Sequence, residues 1–280
     1  MGVLNVTPDS FSDGGLYLEA DAALAHAERM AEEGAAILDI GGESTRPGAQ
    51  PVDSEQELRR VLPVVERVAA RLPLVISIDT SNPQLMRRAR DAGAHMINDV
   101  RALRLEAALE SVAPTGLAVC LMHMQGEPST MQRNPSYVDV VAEVHDYLEA
   151  RIEACFSAGI AADRLCIDPG FGFGKLLRHN IELLRRLTDL TPLGPPLLVG
   201  LSRKSMAGAL SSGPAAALTQ SSSARPPAER LAASLALATV AVLNGASIVR
   251  AHDVAATVDA VRVAATFQDI PRGPALSRPI

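Results

Sequence analysis

Eight short apolar runs alternate with helical patterns along the chain, and this alternation constrains the fold more than any other sequence feature. The runs are nearly continuous in apolar residues, which is typical of parallel strands that are buried on both faces. They cover residues 2–5, 36–40, 74–79, 95–99, 117–122, 165–168, 197–200 and 247–250. Eight strand–helix units in 280 residues predict an α/β fold of a single domain, the TIM (β/α)8 barrel.

A doubly wound open sheet is the alternative arrangement of such units. That fold normally carries a Gly-x-Gly-x-x-Gly turn after its first strand. Residues 7–15 do not have this spacing. The barrel is therefore the favoured fold.

Helical periodicity separates the strands and marks the limits of the domain. The predicted helices cover residues 21–33, 54–70, 83–92, 105–112, 138–158, 181–190, 228–243 and 254–266. The second opens with Ser54 and Glu57 three residues apart, which predicts a capping box. Residues 211–227 are rich in Ser, Ala and Pro and predict a flexible insertion. We therefore expect one barrel domain over residues 1–267, followed by a loose tail over 268–280.

Composition and charge argue against several functional classes. The net charge is −6 and no basic stripe is present, so we do not expect nucleic acid as a partner. No apolar run reaches the roughly 18 residues of a membrane span, and the first residues lack the features of a signal peptide. We therefore expect a cytoplasmic protein that does not bind membranes. Cys120, Cys155 and Cys166 are not spaced as a metal pair, and we expect buried, reduced thiols.

Polar residues follow the predicted strands, where a barrel builds its active site. They are Asn5, Asp39, Asp79, Asn98, Asp168, Ser202 and Arg250. Any one of them is explained equally well as a helix cap or a turn residue. Several buried carboxylates at one barrel end, however, need partners. Carboxylates and amides suit a ligand rich in N–H donors, such as a fused amino-pyrimidinone ring, from which Asp168 could accept two parallel hydrogen bonds.

The loop after the sixth strand is rich in glycine and carries two aromatic rings, Phe171 and Phe173. Glycine lets the backbone approach a flat ligand closely, and the rings could cover its face. Taken alone, the loop is equally well explained as a Gly-rich turn with two core phenylalanines.

Two other segments indicate anion binding. Thr45 and Arg46 offer a hydroxyl and a guanidinium, while Arg250 and His252 follow the last strand, where TIM barrels often hold phosphate. A solvated loop charge at Arg46 and a structural role for His252 remain open alternatives.

The segment from Ser202 to Ser205 lies at a predicted helix start. Its amides could receive a carboxylate, and Lys204 could reach the ring site. A capped helix with a solvated basic turn explains this segment equally well. No His or Cys metal pair is present; a weak Mg²⁺ site with Asn5, Asp9 and a diphosphate would suit the habits of that ion.

Seven segments together resemble the dihydropteroate synthase family. They are GVLNVTPDSFSDGG at 2–15, DIGGESTRPG at 39–48, SIDT at 77–80, NDV at 98–100, DPGFGFGK at 168–175, SRKS at 202–205 and RAHDV at 250–254. They occur in the family's order. The first, second and fifth segments are specific by themselves, and the others are specific only in combination.

The resemblance implies a TIM-barrel transferase of folate biosynthesis. Its reaction joins 6-hydroxymethyl-7,8-dihydropterin diphosphate to p-aminobenzoate and releases diphosphate. The family also implies Mg²⁺ as a cofactor, a homodimer formed through the late helices, and sensitivity to sulfonamides.

The resemblance further implies a role for individual residues. The pterin-binding residues would be Asp79, Asn98, Met122, Asp168 and Lys204. The diphosphate-binding residues would be Asn5, Thr45, Arg46, Arg250 and His252. The p-aminobenzoate pocket would contain Phe11, Pro47, Phe173, Ser202 and Ser205. The magnesium ligands would be Asn5 and Asp9, and the catalytic residues would be Asp79, Asp168, Lys204, Arg250 and His252.

Two features of the sequence depart from the family pattern. The chain opens directly on its first strand, so we expect a less covered barrel floor, and the patch at 211–227 is longer than usual.

Two other functions compete with this interpretation. A methyltetrahydrofolate–corrinoid methyltransferase would share the pterin carboxylates but needs no diphosphate or p-aminobenzoate site. A non-catalytic pterin-binding paralogue would have lost residues from its two long loops. The segments at 45–47 and 202–205, together with Arg250 and His252, argue against the methyltransferase. The two long loops at 7–15 and 41–49 are complete, which argues against the paralogue.

Overall fold

Eight parallel strands form the centre of the structure, a computed structural model that describes residues 1–6, 15–43, 52–213 and 225–269. The strands are β1 Gly2–Asn5, β2 Ile37–Gly41, β3 Val75–Asp79, β4 Met96–Asp99, β5 Ala118–Met122, β6 Leu165–Asp168, β7 Leu197–Gly200 and β8 Ala246–Arg250. Each pairs with the next in chain order. A parallel bridge between Gly2 and Ala251 links the last strand to the first. The predicted TIM barrel is confirmed.

Helices pack around this barrel between the strands. In the described ranges they are α1 Gly15–Glu32, α2 Ser54–Arg71, α3 Pro83–Ala89, α4 Ala108–Val112, α5 Val140–Ser157, α6 Leu177–Arg185, α7 Ser205–Ser211, α8 Leu231–Leu243 and α9 Val254–Asp269. Most lie within a few residues of their predicted bounds. α1 begins six residues earlier than predicted. α6 begins at Leu177 instead of residue 181, and a 3₁₀ segment at Leu187–Leu193 replaces its predicted last turn. Pro192 lies in that segment and has no N–H for an α-helical bond.

The capping box predicted at the start of α2 is wrong. Asp53 caps this helix, because its carboxylate accepts hydrogen bonds from the amides of Glu55 and Gln56 at 3.2 and 3.3 Å. Glu57 instead turns toward the barrel mouth, where it accepts a 2.7 Å hydrogen bond from Thr80 Oγ1. The side chain that the sequence pattern assigned to a cap therefore supports the loop after β3.

Two apolar layers hold the barrel together. Alternate strand residues such as Leu38, Ile40, Ile76 and Ile78 are fully buried against the surrounding helices. Inside the barrel, Met96, Cys120, Cys166 and Leu198 form a second apolar cluster. All three cysteines are buried and free, which confirms the prediction of reduced thiols. A cavity of about 280 Å³ lies at the barrel floor, between the amino ends of β2 and β8 and the helix α9.

Other predictions fall partly or wholly outside the described residues. The patch at 211–227 is described only at its two ends, and the tail only to Asp269, where α9 ends. No helix in the described part of the chain is long and apolar enough to cross a membrane.

Candidate active site

The polar residues predicted at the strand ends gather at one mouth of the barrel. Strand register brings them together, because Asp79 pairs with Asn98 across β3 and β4, and Met122 pairs with Asp168 across β5 and β6. Phe11, Asp9, Thr45, Arg46 and Pro47 lie outside the described residues.

A buried ion-pair network forms one side of the mouth. Arg250 donates through Nε to Asp39 Oδ2 at 2.6 Å and through a terminal nitrogen to Asp79 Oδ2 at 2.8 Å. Asn98 Nδ2 donates to the same oxygen of Asp39 at 3.1 Å. Two carboxylates thus share one guanidinium. Burial raises the pKa of Asp79 to about 7, although Arg250 opposes the shift.

Asp39 was predicted among the polar residues of the mouth, but the family resemblance assigned it no individual role. It is fully buried inside the barrel. Its second oxygen, Oδ1, is buried without a hydrogen-bond partner in the described structure. Such an orphaned acceptor is costly unless a ligand donor or water meets it. The sequence signal was a lone carboxylate within an apolar strand.

Asp168 lies across the mouth from this network. Its Oδ1 accepts a 2.7 Å hydrogen bond from the amide of Gly170, and its Oδ2 makes no hydrogen bond to another described residue. Burial raises the pKa of Asp168, and the charge of Lys204 opposes the shift. Gly170 has a φ of +69°, and a Cβ added there would lie 1.8 Å from the carbonyl oxygen of His123. The turn after β6 therefore requires glycine.

Lys204 joins the loop after β7 to the loop after β6. Its Nζ donates to the carbonyl oxygen of Phe171 at 2.5 Å and lies 4.7 Å from the ring centroid of Phe173. Burial lowers the pKa of Lys204 to about 8, and Asp168 opposes the shift. The two aromatic rings of this loop differ in role, since Phe171 is part of the buried core while Phe173 borders the site.

A second buried lysine, Lys175, supports the same loop and was missed as a functional residue. Its Nζ contacts His123 Nδ1 at 2.8 Å and donates to the carbonyl oxygens of Gly170 and Phe173 at 3.0 and 3.2 Å. Burial lowers the pKa of His123 to about 2, so its ring is neutral. Lys175 therefore ties both ends of the glycine turn to the end of β5. The sequence showed it only as the last residue of a motif.

His252 lies beside Ser202 at the ends of β7 and β8. Ser202 Oγ is 3.1 Å from His252 Nδ1 and accepts a hydrogen bond from the His252 amide at 3.2 Å. Ser205 is exposed at the start of α7. Arg250, which the resemblance grouped with His252, forms ion pairs with Asp39 and Asp79. Its other terminal nitrogen makes no hydrogen bond to the described residues.

This mouth defines a class of protein, a TIM-barrel enzyme with buried carboxylates and a buried lysine at the carboxyl ends of its strands. A family described as "Pterin binding enzyme" matches residues 1–252. The chain belongs to the dihydropteroate synthase family of these enzymes, which are transferases.

Similar proteins support this assignment. The dihydropteroate synthase of Escherichia coli (strain K12) is 53% identical over 263 residues, which cover 94% of this chain and 89% of that protein. The Xanthomonas albilineans dihydropteroate synthase, solved with 4-aminobenzoic acid, has a TM-score of 0.87 at 52% identity, covering 97% of this chain and 93% of that one. The same enzyme in complex with 7,8-dihydropteroate has a TM-score of 0.83 at 48% identity, with coverages of 97% and 94%.

Proposed function

We propose that the chain condenses 6-hydroxymethyl-7,8-dihydropterin diphosphate with p-aminobenzoate, giving 7,8-dihydropteroate and diphosphate for folate biosynthesis. The observation that carries this proposal is the buried slot in which Asp79, Asn98, Asp168 and Lys204 surround one space at the carboxyl ends of the strands. The family membership of the chain supports the same reaction.

The pterin ring is held by its N–H donors and its acceptors. Asp168 accepts two parallel hydrogen bonds, with Oδ2 and the remaining lone pair of Oδ1, from the exocyclic amine and a ring N–H, while Lys204 donates to ring acceptors. Asp79 and Asn98 meet the opposite edge of the ring, and Met122, buried next to Asp168 in the barrel register, forms an apolar wall.

The diphosphate is held at the side of the mouth where β8 and β1 end. Arg250 offers the N–H groups that do not donate to Asp39 or Asp79. His252 lies in the loop that follows the same strand, beside Ser202. Thr45 and Arg46 complete this anion site in the proposal.

Magnesium is proposed to bind beside the diphosphate through Asn5, with Asp9 as a second ligand. The donor chemistry fits, since the side chain of Asn5 makes no hydrogen bond with another described residue and its oxygen is a hard ligand at the end of β1. Mg²⁺ commonly takes few protein oxygens together with phosphate oxygens and waters. When bound, the ion supplies charge stabilisation to the leaving diphosphate. Within the described ranges, three potential metal ligands come together at His145, Asp146 and Glu149, an exposed group on α5.

The p-aminobenzoate pocket is proposed between Phe173, Ser202 and Ser205, with Phe11 and Pro47 from the two long loops. Phe173 borders the site beside Lys204. An aromatic acid placed there has its amine directed at the pterin methylene. Sulfonamides that mimic this acid should compete for the same pocket.

The residues favour a mechanism in which diphosphate leaves before the amine attacks. The C–O bond to diphosphate breaks, and the electron-rich dihydropterin stabilises the resulting cation. Asp79 and Asp168 favour positive charge on the ring, while Arg250 and His252 favour negative charge on the leaving group. The neutral aromatic amine then forms the C–N bond and loses a proton to water or diphosphate. No side chain is needed as a general base.

Exposed apolar side chains on α8 and α9 support a homodimer. Leu231, Val240 and Leu243 of α8 are exposed, and so are Val263 and Phe267 of α9. Large apolar side chains grouped on adjacent packed helices indicate a protein interface. We propose that two copies meet there and that the protein is cytoplasmic. Sedimentation of the wild type and of Phe267→Asp tests the dimer; a monomeric wild type would contradict it.

Diphosphate release tests the proposed reaction. The enzyme is incubated with pterin diphosphate, with and without p-aminobenzoate, and diphosphate is measured. Sustained release should require p-aminobenzoate. The competing corrinoid methyltransferase, which the comparisons do not favour, would be indicated by methyl transfer from methyltetrahydrofolate and no diphosphate release.

A further inference from the structure

Arg203, between two proposed ligand residues, has an unusual backbone conformation. Its φ is +58°, in the left-handed region that residues other than glycine seldom adopt. Such a conformation persists when surrounding contacts fix it. The turn sends its two neighbours in different directions. Ser202 Oγ contacts His252 Nδ1 at 3.1 Å, whereas Lys204 Nζ contacts the carbonyl oxygen of Phe171 at 2.5 Å.

Contacts with three other residues, Asp253, Ser234 and Arg230, fix this turn. The guanidinium of Arg203 donates to both carboxylate oxygens of Asp253, with Nε at 2.9 Å from Oδ2. The Arg203 amide donates to Ser234 Oγ at 3.0 Å, and its carbonyl oxygen accepts from an Arg230 terminal nitrogen at 2.8 Å. The backbone and the side chain of residue 203 are therefore both anchored.

Asp253 is itself fixed at the start of α9. Its carbonyl oxygen accepts hydrogen bonds from the amide of Thr257 at 3.1 Å and from Thr257 Oγ1 at 2.7 Å. It directly follows His252. The Arg203–Asp253 pair therefore connects the loop after β7 with the loop after β8, next to the contact between Ser202 and His252.

We propose that Arg203 and Asp253 form a positioning clamp for the reaction. The clamp holds the left-handed turn that directs Lys204 into the pterin slot and keeps Ser202 against His252 on the diphosphate side. Neither clamp residue touches a substrate. This inference rests on the proposed function, because it assigns the clamp to the alignment of those two substrate sites.

A bidentate fork is specific to arginine, so a conservative exchange should open the clamp. The test compares Arg203→Lys, Asp253→Asn and the double variant. Arg186→Lys is the matched control, because the Arg186 side chain is also 40% exposed and its Nε lies 2.9 Å from Asp189 Oδ2. Its ion-pair partners Asp139, Glu182 and Asp189 are not among the proposed site residues. Arg203→Gly adds a variant whose backbone suits the left-handed turn, in case Arg203→Lys folds poorly.

Each single clamp variant should lower kcat/KM at least tenfold, through a lower kcat together with a higher KM for the pterin substrate, while Tm stays close to that of the wild type. The double variant should be no worse than the more impaired single variant, since the two residues act as one unit. The control should remain within twofold of the wild type.

Three results would overturn the proposal. Wild-type kinetics in both single variants would mean that the ion pair is only a surface contact. Loss in Arg203→Lys with normal Asp253→Asn kinetics would make Arg203 a substrate ligand. If the losses of kcat/KM in the two single variants multiply in the double variant, Arg203 and Asp253 have independent roles.

Binding measurements separate this inference from the proposed function. Calorimetry with the unphosphorylated pterin alcohol needs no turnover. If the wild type binds the pterin but makes no dihydropteroate, the proposed reaction fails. The clamp then still predicts weaker pterin binding in Asp253→Asn, and unchanged binding would contradict it.

Discussion

Asp168→Asn separates the ligand role of this carboxylate from its structural role. The exchange keeps an oxygen for the Gly170 amide, which lies 2.7 Å from Oδ1. At the other position it replaces an acceptor with an NH₂ donor, which would face the N–H groups of a pterin. Losing one hydrogen bond to a charged acceptor costs about 1.5–3 kcal/mol, which corresponds to about 10- to 150-fold in Kd.

Stability should change much less than affinity. Gly170 keeps its acceptor, and a buried carboxylate is replaced by a neutral amide, so we expect the free energy of unfolding to stay within about 1 kcal/mol. Asp168→Ala is the contrasting variant, because it leaves the buried Gly170 amide unpaired and should lower stability by about 1–3 kcal/mol.

The assay is calorimetric titration with the unphosphorylated pterin alcohol, together with urea unfolding of each variant. Wild-type affinity in Asp168→Asn would refute the assignment of Asp168 as a pterin ligand. An equal loss of stability in both variants would refute the separation of its two roles.

Three further predictions concern charge and backbone. Because the pKa of Lys204 is lowered to about 8, pterin affinity should fall as pH rises through about 8, and Lys204→Arg should abolish this alkaline loss; a pH-independent wild-type Kd would contradict it. With the pKa of Asp79 raised to about 7, the folded state holds a proton more tightly than the unfolded chain. Asp79 should therefore cause the free energy of unfolding to fall as pH rises from about 4 to about 7, by up to about 4 kcal/mol. Urea unfolding at several pH values should show a weaker dependence of this free energy on pH in Asp79→Asn. Gly170→Ala should lower the free energy of unfolding by about 2–5 kcal/mol through steric overlap and left-handed strain, whereas Gly159→Ala, with φ of +82° and open space around it, should lose only about 1 kcal/mol; equal losses would be the contrary result.

The barrel could be predicted from the sequence because its signals are local. Continuous apolar runs such as 36–40 and 165–168 mark buried parallel strands, and a polar residue after each run marks the mouth. Strand register then brings Asp79 and Asn98 side by side without further information. The start predicted for the helix at residue 83 is also correct, because the Asn82 side chain caps α3 by accepting a 2.9 Å hydrogen bond from the Gln84 amide.

The features that were missed depend on contacts between distant segments. Nothing in the sequence near Glu57 indicates that its carboxylate will accept a hydrogen bond from Thr80. Lys175 gains its role from His123, which is 52 positions away along the chain. The left-handed turn at Arg203 depends on Asp253, and an arginine gives no local sign of that conformation. The resemblance grouped Arg250 with the anion site, whereas its pairing with Asp39 and Asp79 became visible only in the folded barrel.

The most direct test of the proposed reaction traces its bonds with isotopes. The enzyme converts pterin diphosphate in water enriched in a heavy oxygen isotope, with p-aminobenzoate labelled at its amine nitrogen. Mass spectrometry should find the nitrogen label in 7,8-dihydropteroate, one diphosphate per product, and no solvent oxygen in that diphosphate, since the carbon–oxygen bond breaks. Solvent oxygen in the released diphosphate, or a pterin alcohol in place of 7,8-dihydropteroate as the product, would show hydrolysis instead of condensation and would contradict the assigned function.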